Sequence, residues 1–373
     1  MNVIDVFNQI NWTCKKEKCE AFLHGPSLFD IVNGVEPEII EVFIKTRKSF
    51  FDAENIFNKF NNKIIKIRIT SKIPSSPFTA YNIVVGMDDF LDNNFDKISP
   101  VNSFKDAKKR VIKFTKEAKL HISDNPHYLM DILVEYHNKN LIIDANNFMF
   151  LFNNKSLLKL LEKRKIFNYF RNLLGFPRPR KIISLMNTLG YSDELFGIKL
   201  VESPFVNHLH KSDYYEMLSI IFDNVEIDEL EDFLVTELGF HLRDTKFVVN
   251  LRKSISEIED ESEKQARLFL RTLGSTQRLK NVCRLLKTMG FSELSKKIKF
   301  QKDYVITKDK LCVNENILKS VFGSISEQTI NNLIKIASDK VIEDPEFNKQ
   351  TFLLNYLNKK KGTLWHEEKE LSS

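Results

Sequence analysis

Three carboxylates set close together, Asp30, Glu38 and Glu41 in GPSLFDIVNGVEPEIIE (Gly25–Glu41), are of the type that binds hard cations. Carboxylate oxygens suit Mg²⁺, and two such ions roughly 3.5–4 Å apart can bridge the attacking and leaving oxygens of a phosphoryl transfer. Ile39, between Glu38 and Glu41, contributes no oxygen. Glu41 alone would bind Mg²⁺ weakly, because the ion keeps most of its waters on a single carboxylate. Asp30 or Glu38 could complete the set only by swinging into place, and catalysis tolerates about 1 Å of misplacement at most. Each acid also has a simpler role. Asp30 caps or hydrogen-bonds locally, and Glu41 in IIEVFI is an exposed strand position or half of a local salt bridge. Asp124, just before Asn125-Pro126, reads as a helix N-cap.

Two other groupings promise less. His208 and His210 in NHLHKSDYY have the look of metal ligands or phosphohydrolase residues, but without a neighbouring His-Asp pair they read as surface histidines. Cys14 and Cys19 have no second pair and no histidine cluster to complete a zinc site, so no metal site is expected. The four cysteines, Cys14, Cys19, Cys283 and Cys312, read as free thiols of a reducing cytoplasm.

The clustered charge is more informative. From Lys155 to Lys181 nine basic residues stand against one acid, Glu162, and from Arg267 to Lys302 ten stand against Glu293 alone. Clusters of one sign suit a phosphate backbone, whose condensed counterions are released on binding. The same pattern also fits two solvated helix faces.

The elements that would position these residues change character near residue 100. Before it, β-prone runs recur at Glu20–Leu23, Ile39–Ile44, Lys63–Thr70 and Tyr81–Val85, and KIIKIRIT alternates with the period of a half-buried strand. A helix over Lys48–Asn61 sits between two of them, with Phe50, Phe51, Ile56, Phe57 and Phe60 as its apolar positions. This is a small α/β unit. Beyond residue 100 the pattern is helical. Helices are predicted over Ser103–Glu117, Pro126–His137, Lys155–Leu174, Arg178–Leu189, Tyr214–Phe222, Ile227–Leu238, Glu257–Leu273, Thr276–Met289, Ser326–Ile342 and Asn348–Lys359. The Gly175–Pro179 segment is a break, because proline lacks a donor and restricts its predecessor. Gly290 and Gly323 read as helix ends. No fixed-period repeat supports a solenoid, and the 31 phenylalanines are core by default.

With 373 residues, 42% hydrophobic and 28% charged, the chain can bury ample core in two or more units. No run of about 18 apolar residues suggests a membrane span, and the N-terminus lacks a secretory pattern. A cytoplasmic protein is expected.

Gly25, Asp30 and Gly34 fall in the frame of the opening motif of the bacterial-type (class II) tRNA nucleotidyltransferase and poly(A) polymerase family, and Pro37 sits in its spacer. The sequence resembles that family in further, colinear segments. SSPFTAYNI (Ser75–Ile83) keeps the Phe-Thr of a second motif. ISPVNSFKDAKKRVIKF (Ile98–Phe114) and DNPHYLMDILVEY (Asp124–Tyr136) align in one ungapped frame. Leu161–Phe196 is similar to the family's neck-to-body helices, and Tyr304–Leu357 to its tail.

The resemblance implies an α+β protein: a nucleotidyltransferase-like head (residues 1–100), then an elongated helical neck (101–175), body (176–302) and tail (303–373). It also implies where reactive groups should stand and do not. The two metal carboxylates would fall at Ile39 and Glu41, and Phe29 replaces the opening motif's arginine. Ser75, Ser76 and Pro77 replace two arginines and an aspartate. Ser99 replaces another aspartate, and Asn102 and Ser103 a glycine pair. The nucleotide-pairing template becomes Asp124, Asn125 and Tyr128, with Asp131 and Glu135 at arginine positions. Tyr128 cannot make a bidentate guanidinium contact to a base edge.

Losing metal, phosphate and base contacts together predicts an RNA-binding protein without nucleotidyl transfer. Degenerate site positions are then Gly25, Phe29, Asp30, Ile39, Glu41, Asp124, Asn125 and Tyr128. Phosphate contacts are expected from Lys159, Lys163, Arg164, Lys165, Arg171, Arg178, Arg180, Lys181, Arg278, Lys280, Arg284 and Lys287, with tRNA as the expected RNA. No cofactor is expected; Mg²⁺ enters only if transfer persists. Two alternatives stay open: an active CCA-adding enzyme or poly(A) polymerase with displaced ligands, and a helical scaffold for a protein partner.

Overall fold

Four short strands near the N-terminus carry the β signal: β1 (Glu20–His24), β2 (Ile40–Lys45), β3 (Ile65–Thr70) and β4 (Val84–Gly86). They form one sheet in the order β3-β2-β1-β4, with β1 antiparallel to β2 and β4, and β2 parallel to β3. The β2–β3 crossover runs through a helix, Phe50–Phe57, and a 3₁₀ turn, Asn58–Phe60, because parallel neighbours need a connection longer than a hairpin. Leu23, Val42, Ile44 and Ile65 are fully buried in this sheet. The first helix, Val3–Glu17, was not anticipated; it buries Val6, Phe7, Ile10 and Cys14, a spacing that follows one helical face.

This is a computed structural model, and it describes residues 3–301, 310–323 and 325–370, apart from the side chains of residues 211 and 361–370. The fold is α+β, helical throughout after the sheet except for a two-stranded parallel ladder, β5 (Val111–Ile112) with β6 (Ile142–Ile143). Two compact units emerge: Met1–Glu162 with Met186–Gly197, and Lys163–Leu185 with Ile198–Ser373. In the second unit the C-terminal helices Glu315–Phe322, Glu327–Glu343 and Gln350–Glu370 bury Leu318, Leu333, Ala337, Leu353 and Leu357 together. The start of the tail-like segment, residues 304–309, lies outside the described residues.

Several expected elements differ, each for a local reason. Residues 81–83 are not strand: Thr79–Tyr81 form a 3₁₀ turn, and the Asn82 side chain bonds Ser76 N at 2.6 Å and Ser76 O at 2.8 Å, closing a loop. The helix expected over Ser103–Glu117 is Val101–Lys108; Arg110 turns to φ +54 and β5 follows. The helix expected over Lys155–Leu174 divides into a 3₁₀ segment, Lys155–Leu160, and a helix, Lys163–Gly175. Glu263, with Ser262 as N-cap, opens the helix expected from Glu257, and the Leu242–Ser256 helix was missed. Asp124 is no N-cap. The helix is Tyr128–Asn138 with His127 at its cap, and backbone bonds from Tyr128 N to Asn125 O and Leu129 N to Pro126 O satisfy its first turn. Phe50 and Phe51 are exposed; only Phe57 and Phe60 reach the core.

Candidate nucleotide cleft and basic surface

The chain leaves β1 through Gly25 at φ +81, and Pro26 opens a seven-residue helix, Pro26–Val32. This turn and the start of β2 wall a cleft of about 540 Å³ lined by Ser27, Asp30, Glu38, Ile39, Arg110 and Lys139, among others. Of the degenerate site positions, Phe29, Asp30 and Ile39 line this cleft, while Gly25, Glu41, Asp124, Asn125 and Tyr128 do not. Phe29 is 2% exposed, with its ring edge-on to Tyr81 at 5.3 Å. An arginine in that place would bring a charge; phenylalanine anchors the helix to the core.

The carboxylates do not converge. Asp30 is buried and its Oδ2 accepts from Lys139 Nζ at 2.5 Å, an ion pair spanning 109 residues where a local bond was expected. Glu41 sits on β2 and its Oε1 accepts from Arg68 Nε of β3 at 3.0 Å, a partner on the neighbouring strand where the sequence left an exposed strand position or a local salt bridge. Ile39 precedes β2 in a bend and is 48% exposed. Glu38 is solvent-exposed. Among the described residues no three His, Cys, Asp or Glu side chains are grouped to hold a metal ion. The donor set does not fit Mg²⁺: one acid is neutralised by lysine, one by arginine, and the position between them is a hydrocarbon. His24, at the end of β1, is buried against Phe43, and burial lowers its pKa despite the nearby Glu41.

Residues 124–128 make contacts with their near neighbours. The side chain of Asp124 is 77% exposed and lies 3.7 Å from His121 Nδ1. The Asn125 amide donates to His121 O at 3.1 Å, and the Tyr128 ring packs on His127. Glu135, one turn before Lys139, accepts a hydrogen bond from the buried Tyr81 hydroxyl. Burial raises the pKa of Glu135, opposed by that hydrogen bond and by the Lys139 charge. Lys139, Tyr81 and Arg68 were missed by sequence reasoning; nothing local to them announces a partner that distant.

The basic residues separate into two kinds. Arg164, Arg178 and Arg180 are exposed, and among the described residues their side chains have no partner. Arg171, Lys165 and Lys181 are exposed as well. Lys159 pairs with Glu194 at 3.2 Å, and Lys163 donates to the Thr236 carbonyl. On the Leu279–Thr288 helix, Lys280 and Lys287 are exposed, but Arg278 and Arg284 are not free for RNA. Arg278 is bidentate to Glu216 at 2.9 and 2.7 Å, and Arg284 pairs with Asp213 at 2.5 Å. Both acids are fully buried, so these two arginines compensate buried charge.

The fold is that of CCA-adding enzymes. The Bacillus stearothermophilus CCA-adding enzyme in complex with CTP superposes with a TM-score of 0.66 at 13% identity, covering 98% of this chain and 100% of that one. The Thermotoga maritima CCA-adding enzyme complexed with tRNA gives 0.59 at 14% identity over 95% of each chain. A tRNA-processing enzyme in an apo form gives 0.58 at 15% identity, over 91% of this chain and 97% of that one. No protein-family model matches the sequence, and no curated protein is significantly similar to it.

Proposed function

We propose that this protein binds tRNA or a tRNA-like RNA and does not transfer nucleotides to it. The observation that carries this reading is the pairing of Asp30 with Lys139 and of Glu41 with Arg68 around Ile39. Two-metal chemistry needs free oxygens that face each other, and this cleft holds none in that arrangement. Whole-chain likeness to tRNA-processing enzymes supports the RNA partner. Arg164, Lys165, Arg171, Arg178, Arg180, Lys181, Lys280 and Lys287 are the proposed phosphate contacts, supplemented by Lys159 and Lys163. Such contacts position an RNA without reading its sequence.

The test is incubation of the purified protein with tRNA lacking its 3′ end, ATP, CTP and Mg²⁺. We expect retardation of the tRNA at roughly 50 mM salt, where backbone-driven binding is strongest, and no incorporation of CMP or AMP. Robust incorporation that disappears in Glu41→Ala would establish instead an active enzyme with displaced ligands. Absence of tRNA retardation at that salt would remove RNA binding and leave a protein scaffold.

A further inference from the structure

A second cleft, of about 660 Å³, lies in the unit that contains residues 198–373. One wall is the Leu242–Ser256 helix, which presents Arg243, Lys246, Phe247 and Asn250 at i, i+3, i+4 and i+7, a single helical face. The other wall is the turn from Gly274 to Arg278. Gly274 ends the Glu263–Leu273 helix at φ +65, and the Asn250 amide donates to the Leu273 carbonyl at 3.4 Å, tying the walls together.

Most charge in this cleft is already compensated. The Arg278 guanidinium is held by Glu216, donates to Ser212 O at 2.7 Å, and lies over the rings of Tyr215 and Phe247 at 4.8 and 5.6 Å. Asp244, the one acid in the lining, accepts a hydrogen bond from Tyr215. Arg243 and Lys246 form no ion pair among the described residues, although Asp244, held by the neutral Tyr215 hydroxyl, shares the lining. Arg243 meets only the neutral Gln277 Oε1, at 3.0 Å, and Lys246 has no partner among the described residues. Arg252 of the same unit, by contrast, is committed to the Asp223 carboxylate and to the carbonyls of Phe222 and Val225.

We infer that this cleft holds an RNA phosphodiester, gripped by Arg243 and Lys246; the inference rests on the RNA-binding reading above. Gln277 takes one of the five guanidinium donors of Arg243 and fixes its plane, which leaves a fork for two phosphate oxygens. Lys246, one helical turn along, adds a point charge beside it. Ser275 and the amides of Asn250 and Gln277 supply neutral polar groups around the anion. Arg278, held by Glu216 and the two rings, is fixed beside this space, and Arg243 and Lys246 are both exposed.

The experiment is filter binding of tRNA lacking its 3′ end to the full-length protein across roughly 50–200 mM salt. Arg243→Gln/Lys246→Gln should weaken binding about tenfold near 100 mM and reduce the slope of log K against log salt by about 0.9, the value for one phosphate contact. Lys246→Gln alone, whose lysine bonds nothing in the fold, should weaken binding and reduce the slope by less than the double variant does. Urea unfolding of both variants is expected to match the wild type. If the wild type binds tRNA and both variants bind it with unchanged affinity and slope, the cleft assignment is wrong and the RNA reading stands. If the wild type itself fails to bind tRNA at roughly 50 mM salt, both are wrong.

Discussion

Asp30 and Lys139, 109 residues apart in the sequence, meet at 2.5 Å across the N-terminal cleft, with side chains only 7% and 22% exposed. The pair neutralises the one cleft carboxylate that the opening motif retains. It also ties the Pro26–Val32 helix to the end of the Tyr128–Asn138 helix, so its first consequence concerns stability.

Asp30→Ala strands the Lys139 ammonium in a poorly hydrated place and should cost about 3 kcal/mol, read from urea unfolding. Asp30→Ala/Lys139→Ala should cost less than the two single changes summed, by about 1–2 kcal/mol. Strict additivity would show that the pair contributes nothing as a pair.

Glu135 gives a pH-dependent counterpart. Its folded pKa lies above the ordinary 4.5 because of burial, although the Tyr81 hydrogen bond and Lys139 pull it down. As pH rises through 4.5 the unfolded chain releases a proton that the folded chain keeps, so this group subtracts stability with increasing pH. Glu135→Gln keeps an acceptor for Tyr81 and removes the titration. The variant should therefore gain on the wild type between pH 4 and pH 7 in urea midpoint; an equal difference at both pH values would count against the assignment.

Arg278 compensates Glu216, whose pKa burial pushes up and Arg278 draws back. Arg278→Ala should lower stability by about 3–5 kcal/mol, because it leaves a buried acid alone. Arg278→Lys should recover little, since an ammonium cannot reproduce the fork to both carboxylate oxygens. A loss under about 1 kcal/mol would return Arg278 to the set of surface cations.

Arg164, Arg178 and Arg180 bear on RNA instead. The triple change to Gln should leave the unfolding curve within about 0.5 kcal/mol of the wild type. It should lower the salt slope of tRNA binding by about 2.7 if each arginine faces one phosphate. An unchanged slope would place the RNA on another face.

The thiols should react in order of burial. Cys14 is buried and its thiol is pushed up to about 12, chiefly by burial and then by Cys19, and Cys283 is shifted up as well. Cys312 is exposed. At pH 8 a thiol-disulfide reagent should modify Cys312 rapidly and Cys14 only on unfolding; fast labelling at Cys14 would contradict its placement.

What the sequence determined by itself were features set by near neighbours. The period-two pattern of KIIKIRIT marked β3, and the Gly175–Pro179 break marked the interval between two helices. The colinear motifs marked the α+β architecture. Ile39 was legible as a position with no oxygen, and Glu41 as a strand residue, though not its partner Arg68. Where local cues conflicted, boundaries moved, as at Arg110, whose left-handed backbone no neighbouring residue announces.

The tertiary structure decided which charges are available. Lys139 for Asp30, Tyr81 for Glu135, Glu216 for Arg278 and Asp213 for Arg284 are partners 109, 54, 62 and 71 residues away. A charge count along the chain treats Arg180 and Arg284 alike, because it records sign and spacing but not what lies across the fold. The difference between a cation free for a phosphate and one compensating a buried acid is set by desolvation, and desolvation exists only once the chain has packed.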